Sequence, residues 1–197
     1  IDQAAQATFQ FDTFVEGAYI DVAINDGDAI TGLAAYADRI LEFKRRALYI
    51  INVSKELEFI EDVKTGAGVH RPGAITETPF GIVWANTTGC FIYDGEKINQ
   101  LSMGKISDSD WSNISAATAS GVTEYAITGY DPINRQVIVL WDGRPTGTSG
   151  NDGQAYVYTL DTQSWHFTKD IIDQANTVSN MITTSNGELI IKGGSST

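Results

Sequence analysis

The sequence predicts an all-β protein built from β-propeller-like repeats, in which each blade is a four-stranded antiparallel sheet. The first observation is the stretch of residues 74–101 (AITETPFGIVWANTTGCFIYDGEKINQL), where four runs of β-branched and aromatic residues alternate with turn signals such as Asp94-Gly95. Connections this short join only antiparallel neighbours, so the stretch predicts a four-stranded meander. Meanders of this kind are the blades of propellers.

The second observation is a triplet that returns along the chain. Ala-Ile-Thr occupies residues 29–31, 74–76 and 126–128, and the near copy Met-Ile-Thr occupies residues 181–183. Each copy is followed by a turn, an apolar run, a second turn and another apolar run. A repeat of roughly 40 to 50 residues with four strands is typical of propellers. The apolar richness of the middle runs indicates strands that are covered on both faces.

Strands can be assigned in order along these repeats. Residues 9–15 and 18–24 alternate apolar and polar side chains, which predicts two half-buried strands that complete a blade within residues 1–28. In each later repeat we predict a second, a third and an outer strand. In order along the chain these lie at residues 40–43, 48–53 and 57–62, then at 82–85, 90–93 and 97–101, and then at 137–141, 155–160 and 164–168. For the last repeat only the second strand is assigned, at residues 189–191. We expect blade-like repeats over residues 29–63 and 64–106, a linker plus a blade over 107–173, and a partial blade over 174–197.

Three segments between or within these strands have local signals of their own. Residues 34–46 fit either a helix or a hairpin that turns at Asp38. Residues 108–114 can form a short helical turn capped by Ser107, in the link between two blades. Residues 156–167 (YVYTLDTQSWHF) are similar to the hairpins of Kelch-like propellers, with an Asp-led turn and a Trp that packs between blades.

The composition limits the classes of partner. The formal net charge is -12 and the pI is about 4.4, which excludes a protein that holds duplex nucleic acid by neutralising phosphates and argues against docking on anionic lipid. No apolar run approaches membrane-spanning length. A single cysteine excludes an intrachain disulfide framework. Because the chain begins with Ile1 and stops directly after a predicted strand, we expect it to be a piece of a longer polypeptide.

Few residues suggest a nucleophile, a metal ligand or a catalytic base. Cys90 lies in an apolar run, which favours a small buried hydrophobe over a nucleophile. Asn25-Asp26-Gly27-Asp28 invites a calcium site, but it offers few oxygens, so a plain turn is favoured. His70 and His166 lie in separate repeats, which favours isolated histidines over a catalytic or ligand role.

Charged residues give further candidates without a firm site. Asp108 with Asp110, or Glu61 with Asp62, could form an acid/base pair, but such pairs depend on a distance that sequence does not give. Lys44-Arg45-Arg46 is the basic cluster, expected at a hairpin turn and sheet edge where it discourages edge pairing, with a phosphate contact as the alternative.

One polar loop could contact a partner. Residues 144–153 (RPTGTSGNDG) are Gly-rich, and such loops often touch partners, although a merely solvated loop is favoured. Within it, residues 149–153 lack the Trp that would complete a sialidase Asp-box. We assign no catalytic, cofactor or metal residue and expect a protein that is not an enzyme.

Two segments carry a family resemblance. Residues 27–54 (GDAITGLAAYADRILEFKRRALYIINVS) and 79–102 (PFGIVWANTTGCFIYDGEKINQLS) resemble the propeller domains of tail nozzle (tail tubular) and hub proteins of short-tailed bacteriophages. The resemblance covers most of residues 18–192 and brings no catalytic residue. It implies a structural virion protein whose copies and neighbouring tail proteins build a conduit that retains and ejects DNA, with DNA only as passing cargo. An acidic wall fits this role because it does not grip phosphates.

Two other functions remain open at this point. A carbohydrate-binding or glycan-degrading propeller would need a concave pocket with aromatic side chains and paired carboxylates. A generic bacterial propeller scaffold would stay monomeric.

Overall fold

The computed structural model describes residues 27–55, 57–111, 118–119, 122–123, 126–142, 154–169 and 176–195. Over these residues the chain is all-β, with three four-stranded antiparallel sheets and two two-stranded ones. The strands predicted at residues 9–15 and 18–24 and the loop of residues 144–153 lie outside the described residues.

The first and second sheets are meanders in which each strand pairs with the next. The first sheet comprises β1 Ile30–Tyr36, β2 Arg39–Lys44, β3 Ala47–Asn52 and β4 Phe59–Thr65. A 3₁₀ turn at Pro72–Ala74 leads into the second sheet, formed by β5 Ile75–Thr78, β6 Gly81–Asn86, β7 Gly89–Tyr93 and β8 Ile98–Gln100. The predicted four-stranded meander of residues 74–101 is therefore confirmed.

Residues 105–111, which we call the strap, follow the second sheet on the way to the third. Helix α1 spans Asp108–Trp111, and the Ser107 hydroxyl accepts a hydrogen bond from the backbone N–H of Asp110 at 3.1 Å, so the predicted cap is confirmed. Strands β9 Thr118–Ala119 and β10 Val122–Thr123 then form a small two-stranded sheet. The third four-stranded sheet comprises β11 Ile127–Asp131, β12 Gln136–Asp142, β13 Gln154–Thr159 and β14 Ser164–Thr168. The last described element is a hairpin of β15 Asn176–Thr183 and β16 Leu189–Ser195.

Two local predictions are decided in the first sheet. Residues 34–46 form the β1–β2 hairpin rather than a helix, with Tyr36 paired to Arg39 around the predicted turn. The outer strand β4 begins two residues later than predicted. The side chain of Asn52 accepts a hydrogen bond from the backbone N–H of Ser54 at 2.9 Å, which closes a turn directly after β3 and delays the return of the chain.

The sheets stack face to face around three apolar cores. Leu41, Phe43 and Ile50 of the first sheet pack against Ile82 and Trp84 of the second. The opposite face of the second sheet packs on the third, and the third packs on the β15–β16 hairpin. Strand β6 is buried on both faces, as expected of a middle strand. The first strands of neighbouring sheets contact one another, from β1 to β5, β5 to β11 and β11 to β15.

Candidate functional site

A cleft opens between the strap and the outer half of the third sheet. Its volume is about 480 Å³. We call it the aromatic cleft, and its lining residues are Lys105, Ile106, Ser107, Asp110, Gln154, Tyr156, Trp165, His166 and Phe167. The strap contributes the first four of these residues, and strands β13 and β14 contribute the other five.

Paired strands place the rings of the cleft on one face of the third sheet. Tyr156 pairs with Phe167, and Tyr158 pairs with Trp165, so all four side chains project toward the second sheet. The rings of Tyr156 and Phe167 lie 5.3 Å apart, and those of Tyr158 and Trp165 lie 4.9 Å apart. The same pairing puts His166 beside Val157 on the opposite face.

Two indole N–H groups connect these aromatic rings to the second sheet by hydrogen bonds. Trp165 Nε1 donates to the carbonyl oxygen of Leu101 at 2.9 Å, and Trp111 Nε1 donates to that of Asn86 at 2.9 Å. Trp111 also stacks on Tyr156, with 5.6 Å between ring centroids and an interplanar angle of 23°. The predicted packing of a tryptophan between neighbouring sheets is thus confirmed for Trp165.

The polar side of the cleft is centred on Asp110. Its carboxylate accepts a hydrogen bond from Ser107 Oγ at 2.6 Å, and its carbonyl oxygen accepts one from the Tyr156 hydroxyl at 3.5 Å. Burial, aided by the negative charge of Asp110, raises the pKa of Tyr156. Lys105 Nζ donates to the carbonyl oxygen of Gln163 at 2.7 Å. Asp110 is the one carboxylate among the described residues that line the cleft, so the structure does not bring the pair of Asp108 and Asp110 together there.

The candidate nucleophile and the histidines lie apart. Cys90 is fully buried between the second and third sheets, and burial raises the pKa of its thiol, so it is a small hydrophobe as predicted. His70 lies in the loop before the 3₁₀ turn, where burial and the nearby Arg45 lower its pKa. His166 lies on β14, so the two histidines are not brought together.

The second carboxylate pair is engaged in ion pairs. Glu61 pairs with Arg39 and accepts a hydrogen bond from Asn52 Nδ2 at 2.8 Å, and these partners lower the pKa of Glu61. Asp62 pairs with Lys64 at 2.7 Å, which lowers the pKa of Asp62. Both groups are ionised at neutral pH, so neither is suited to donate a proton as a general acid.

The basic cluster lies at a turn, as predicted, but not at a sheet edge. Lys44 ends β2 and is buried, with its ammonium 5.2 Å from the centre of the Tyr49 ring. The edge prediction is wrong because β2 and β3, which this turn joins, are the two middle strands of the sheet. The backbone N–H of Arg46 donates to Asp28 Oδ2 at 2.9 Å, so Asp28 holds this turn.

Metal and membrane features can be stated for the described ranges. Asn25 and Asp26 of the calcium candidate lie outside the described residues. Among the residues that are described, no group of three or more His, Cys, Asp or Glu side chains could hold a metal ion. Within the same ranges no helix has the length and apolar character to cross a membrane.

Sequence reasoning missed the aromatic cleft. The signal that could have indicated it is the spacing of Tyr156 and Tyr158 on one strand and of Trp165 and Phe167 on the next. Residues two apart on a strand share a face, so the four rings form a patch if the strands pair in this register. The contribution of the strap, through Trp111 and Asp110, has no such local signal.

Comparison with known proteins does not assign a family to this geometry. No protein-family model matches the chain, and no curated protein is significantly similar to it.

Proposed function

We propose that this chain is part of a β-propeller in the tail of a short-tailed phage, where it serves as a structural virion protein and not as an enzyme. In this role it forms part of the nozzle or hub conduit that retains DNA and lets it pass on ejection. Its partners are other copies of itself and neighbouring tail proteins. The proposal starts from the resemblance of residues 27–54 and 79–102 to tail nozzle and hub propellers.

The observation that supports it best is the stacking of successive four-stranded meanders. The second sheet is covered on one face by the first sheet and on the other by the third. A propeller grows by adding such sheets around an axis, with the first strand of each sheet innermost. The contacts from β1 to β5 to β11 to β15 follow this rule.

The two ends of the stack leave apolar side chains at the surface. Ile30 and Leu33 are exposed on the face of the first sheet that is turned away from the second. Ile182 and Ile190 form an exposed cross-strand pair on the face of the β15–β16 hairpin that is turned away from the third sheet. The hairpin face is suited to continue the stack with another sheet. The face of the first sheet exposes strand β1, whereas Lys44 and Tyr49 of its middle strands are buried there.

The charge and the engaged side chains support the same role. A net charge of -12 lets a channel wall repel the phosphate backbone rather than bind it. Cys90, Glu61 and Asp62 are occupied by packing or ion pairs, which leaves them to stabilise the fold.

Electron microscopy of the full-length protein, alone and in particles that contain it, tests the proposal. We expect rings of copies around a central channel, located at the tail tip. A monomer that is absent from every particle would contradict the tail assignment and favour a generic scaffold. A ring with a basic lumen would contradict the conduit.

A further inference from the structure

The aromatic cleft keeps a large ring in contact with solvent. Phe167 is 43% exposed, although it lies on the same face of the third sheet as the buried Tyr158. The strap faces Phe167 across a cleft of about 480 Å³ rather than covering it. A volume of this size is within the range of small-molecule sites, roughly 300 to 1,000 Å³.

The rings of the cleft are held in fixed positions before any ligand arrives. Tyr156 is stacked on Trp111, and its hydroxyl is bonded to the strap at the carbonyl oxygen of Asp110. Trp165 lies edge-on to Tyr156 at 6.4 Å and is bonded to Leu101. A platform that is already ordered costs little conformational entropy on binding.

Hydrogen-bond donors and acceptors surround the aromatic rings of the cleft. The Asp110 carboxylate is an acceptor, the Gln154 side chain offers both an acceptor and a donor, and Lys105 adds a cation at the rim. The ligand that fits is flat and apolar on one face and carries hydroxyl groups at its edge. The face of an aromatic ring is negative and attracts the weakly positive C–H hydrogens of a sugar ring.

We propose that the aromatic cleft binds a neutral carbohydrate, with a sugar ring against Phe167 and Tyr156 and its hydroxyls bonded to Asp110 and Gln154. The acidic chain disfavours a polyanion such as single-stranded nucleic acid, which would also stack on aromatic rings. This inference does not rest on the tail assignment, because it follows from the cleft alone.

The test uses calorimetry and tryptophan fluorescence on the full chain with three neutral probes: maltotriose, a galactose trisaccharide and fully N-acetylated chitotriose. We expect at least one to bind and to change the fluorescence, since Trp165 lines the cleft and Trp111 stacks on Tyr156 beside it. Phe167→Ala is expected to weaken binding by about tenfold or more, because it removes the exposed ring against which the sugar would pack.

Phe59→Ala is the matched control. Phe59 also lies on an outer strand, is 40% exposed and has a lysine over its ring, with Lys55 Nζ at 5.4 Å against 5.8 Å for Lys169 and Phe167. It belongs to the first sheet, so its replacement should leave binding unchanged. Asp110→Asn keeps the shape of the cleft but changes the charge of its acceptor. It should weaken sugar binding while leaving the melting temperature close to that of the wild type.

Three outcomes overturn the inference. The first is that none of the three probes binds at millimolar concentration. The second is that Phe167→Ala and Phe59→Ala weaken binding equally. The third is that oligo-dT binds, that the trisaccharides do not, and that Phe167→Ala loses the binding of oligo-dT. This result would assign the cleft to nucleic acid.

Discussion

Residues 29–32 and 126–129 are both Ala-Ile-Thr-Gly, and both lie at the start of the first strand of a four-stranded sheet. Yet Ile30 is 57% exposed and Ile127 is 1% exposed. In β11 the pairing is regular, so Ile127 and Gly129 share the face that packs on the β15–β16 hairpin. In β1 the register shifts between Ile30 and Gly32, and this bulge turns Ile30 to the opposite face.

The threonine in each copy shows how the bulge is held. The Thr31 hydroxyl donates to the carbonyl oxygen of Val69 at 2.8 Å and lies 3.1 Å from that of Phe43. Thr128 is buried, and within the described residues its hydroxyl has no hydrogen-bond partner. The same four residues take two registers, and the threonine hydroxyl has a backbone acceptor in the bulged copy but none among the described residues in the regular copy.

The glycine is the part that the two copies share. A Cβ on Gly32 would lie 2.6 Å from Ile75 Cδ1 of the next sheet. A Cβ on Gly129 would lie 2.5 Å from Met181 Sδ and 2.8 Å from Met181 Cβ. In both sheets the missing side chain makes room for a large residue from the first strand of the following sheet, which lets these strands approach closely.

The largest difference between the copies is expected at the isoleucine. Ile127→Ala should lower the free energy of unfolding by about 2 to 5 kcal/mol, because it leaves a cavity in the third core. Ile30→Ala should change it by less than about 0.5 kcal/mol, as is usual for an exposed position. Urea unfolding of both variants measures the contrast, and equal losses would contradict the bulged register.

The glycine should give the next largest effect. Gly129→Ala is expected to cost about 1 to 3 kcal/mol, because Met181 Cβ is fixed to its backbone and cannot swing aside. Gly32→Ala should cost less, since Ile75 Cδ1 is the end of a side chain that can rotate. If the clash is the cause, Met181→Gly, which removes Cβ, should cost less in the Gly129→Ala background than in the wild type. Strictly additive losses in this double-mutant cycle would rule the clash out.

The threonines should respond in opposite directions. Thr31→Val removes the hydrogen bond to Val69 and should cost about 1 kcal/mol. Thr128→Val replaces a buried hydroxyl with a methyl group of the same shape and should be neutral or stabilising, because no bond is lost. Thermal unfolding of the two variants measures both effects. A loss of stability in Thr128→Val would show that the Thr128 hydroxyl has a hydrogen-bond partner.

These contrasts show which parts of the fold could be predicted. The meander turns are local, so sequence found them: Asp94 accepts hydrogen bonds from the backbone N–H groups of Glu96 and Lys97, and Asp131 does the same for Ile133 and Asn134. The register within a sheet is not local. The repeated triplet suggested equivalent positions, yet Ile75 faces the sheet before it and Ile127 faces the hairpin after it.

The part of the aromatic cleft that the strap contributes could not be predicted, for a similar reason. Its floor joins Trp165 to Leu101 and Tyr156 to Asp110, residues that are distant in sequence. Each residue alone has an ordinary local role in a strand or a turn. Only the packing of the strap against the third sheet makes them one surface, and no short motif encodes that packing.

The smallest expected difference separates the outer strands of the same two sheets. Hydrogen bonds from Arg39 and Asn52 lower the folded-state pKa of Glu61 on β4, whereas β14 carries no carboxylate. The ionised Glu61 therefore stabilises the first sheet at neutral pH, and this contribution is lost as the pH falls below the ordinary glutamate value and through the lowered one.

Amide hydrogen exchange should show this loss as weaker protection of β3 and β4 in acid, with less change in β13 and β14. Glu61→Gln is the control, because it keeps the shape of the side chain and removes the titration of Glu61 while leaving that of Asp62 on the same strand. The exposure of the ion pair limits the size of the effect. Equal acid sensitivity of both sheets in the wild type, unchanged by Glu61→Gln, would show that the carboxylate does not set the difference between them.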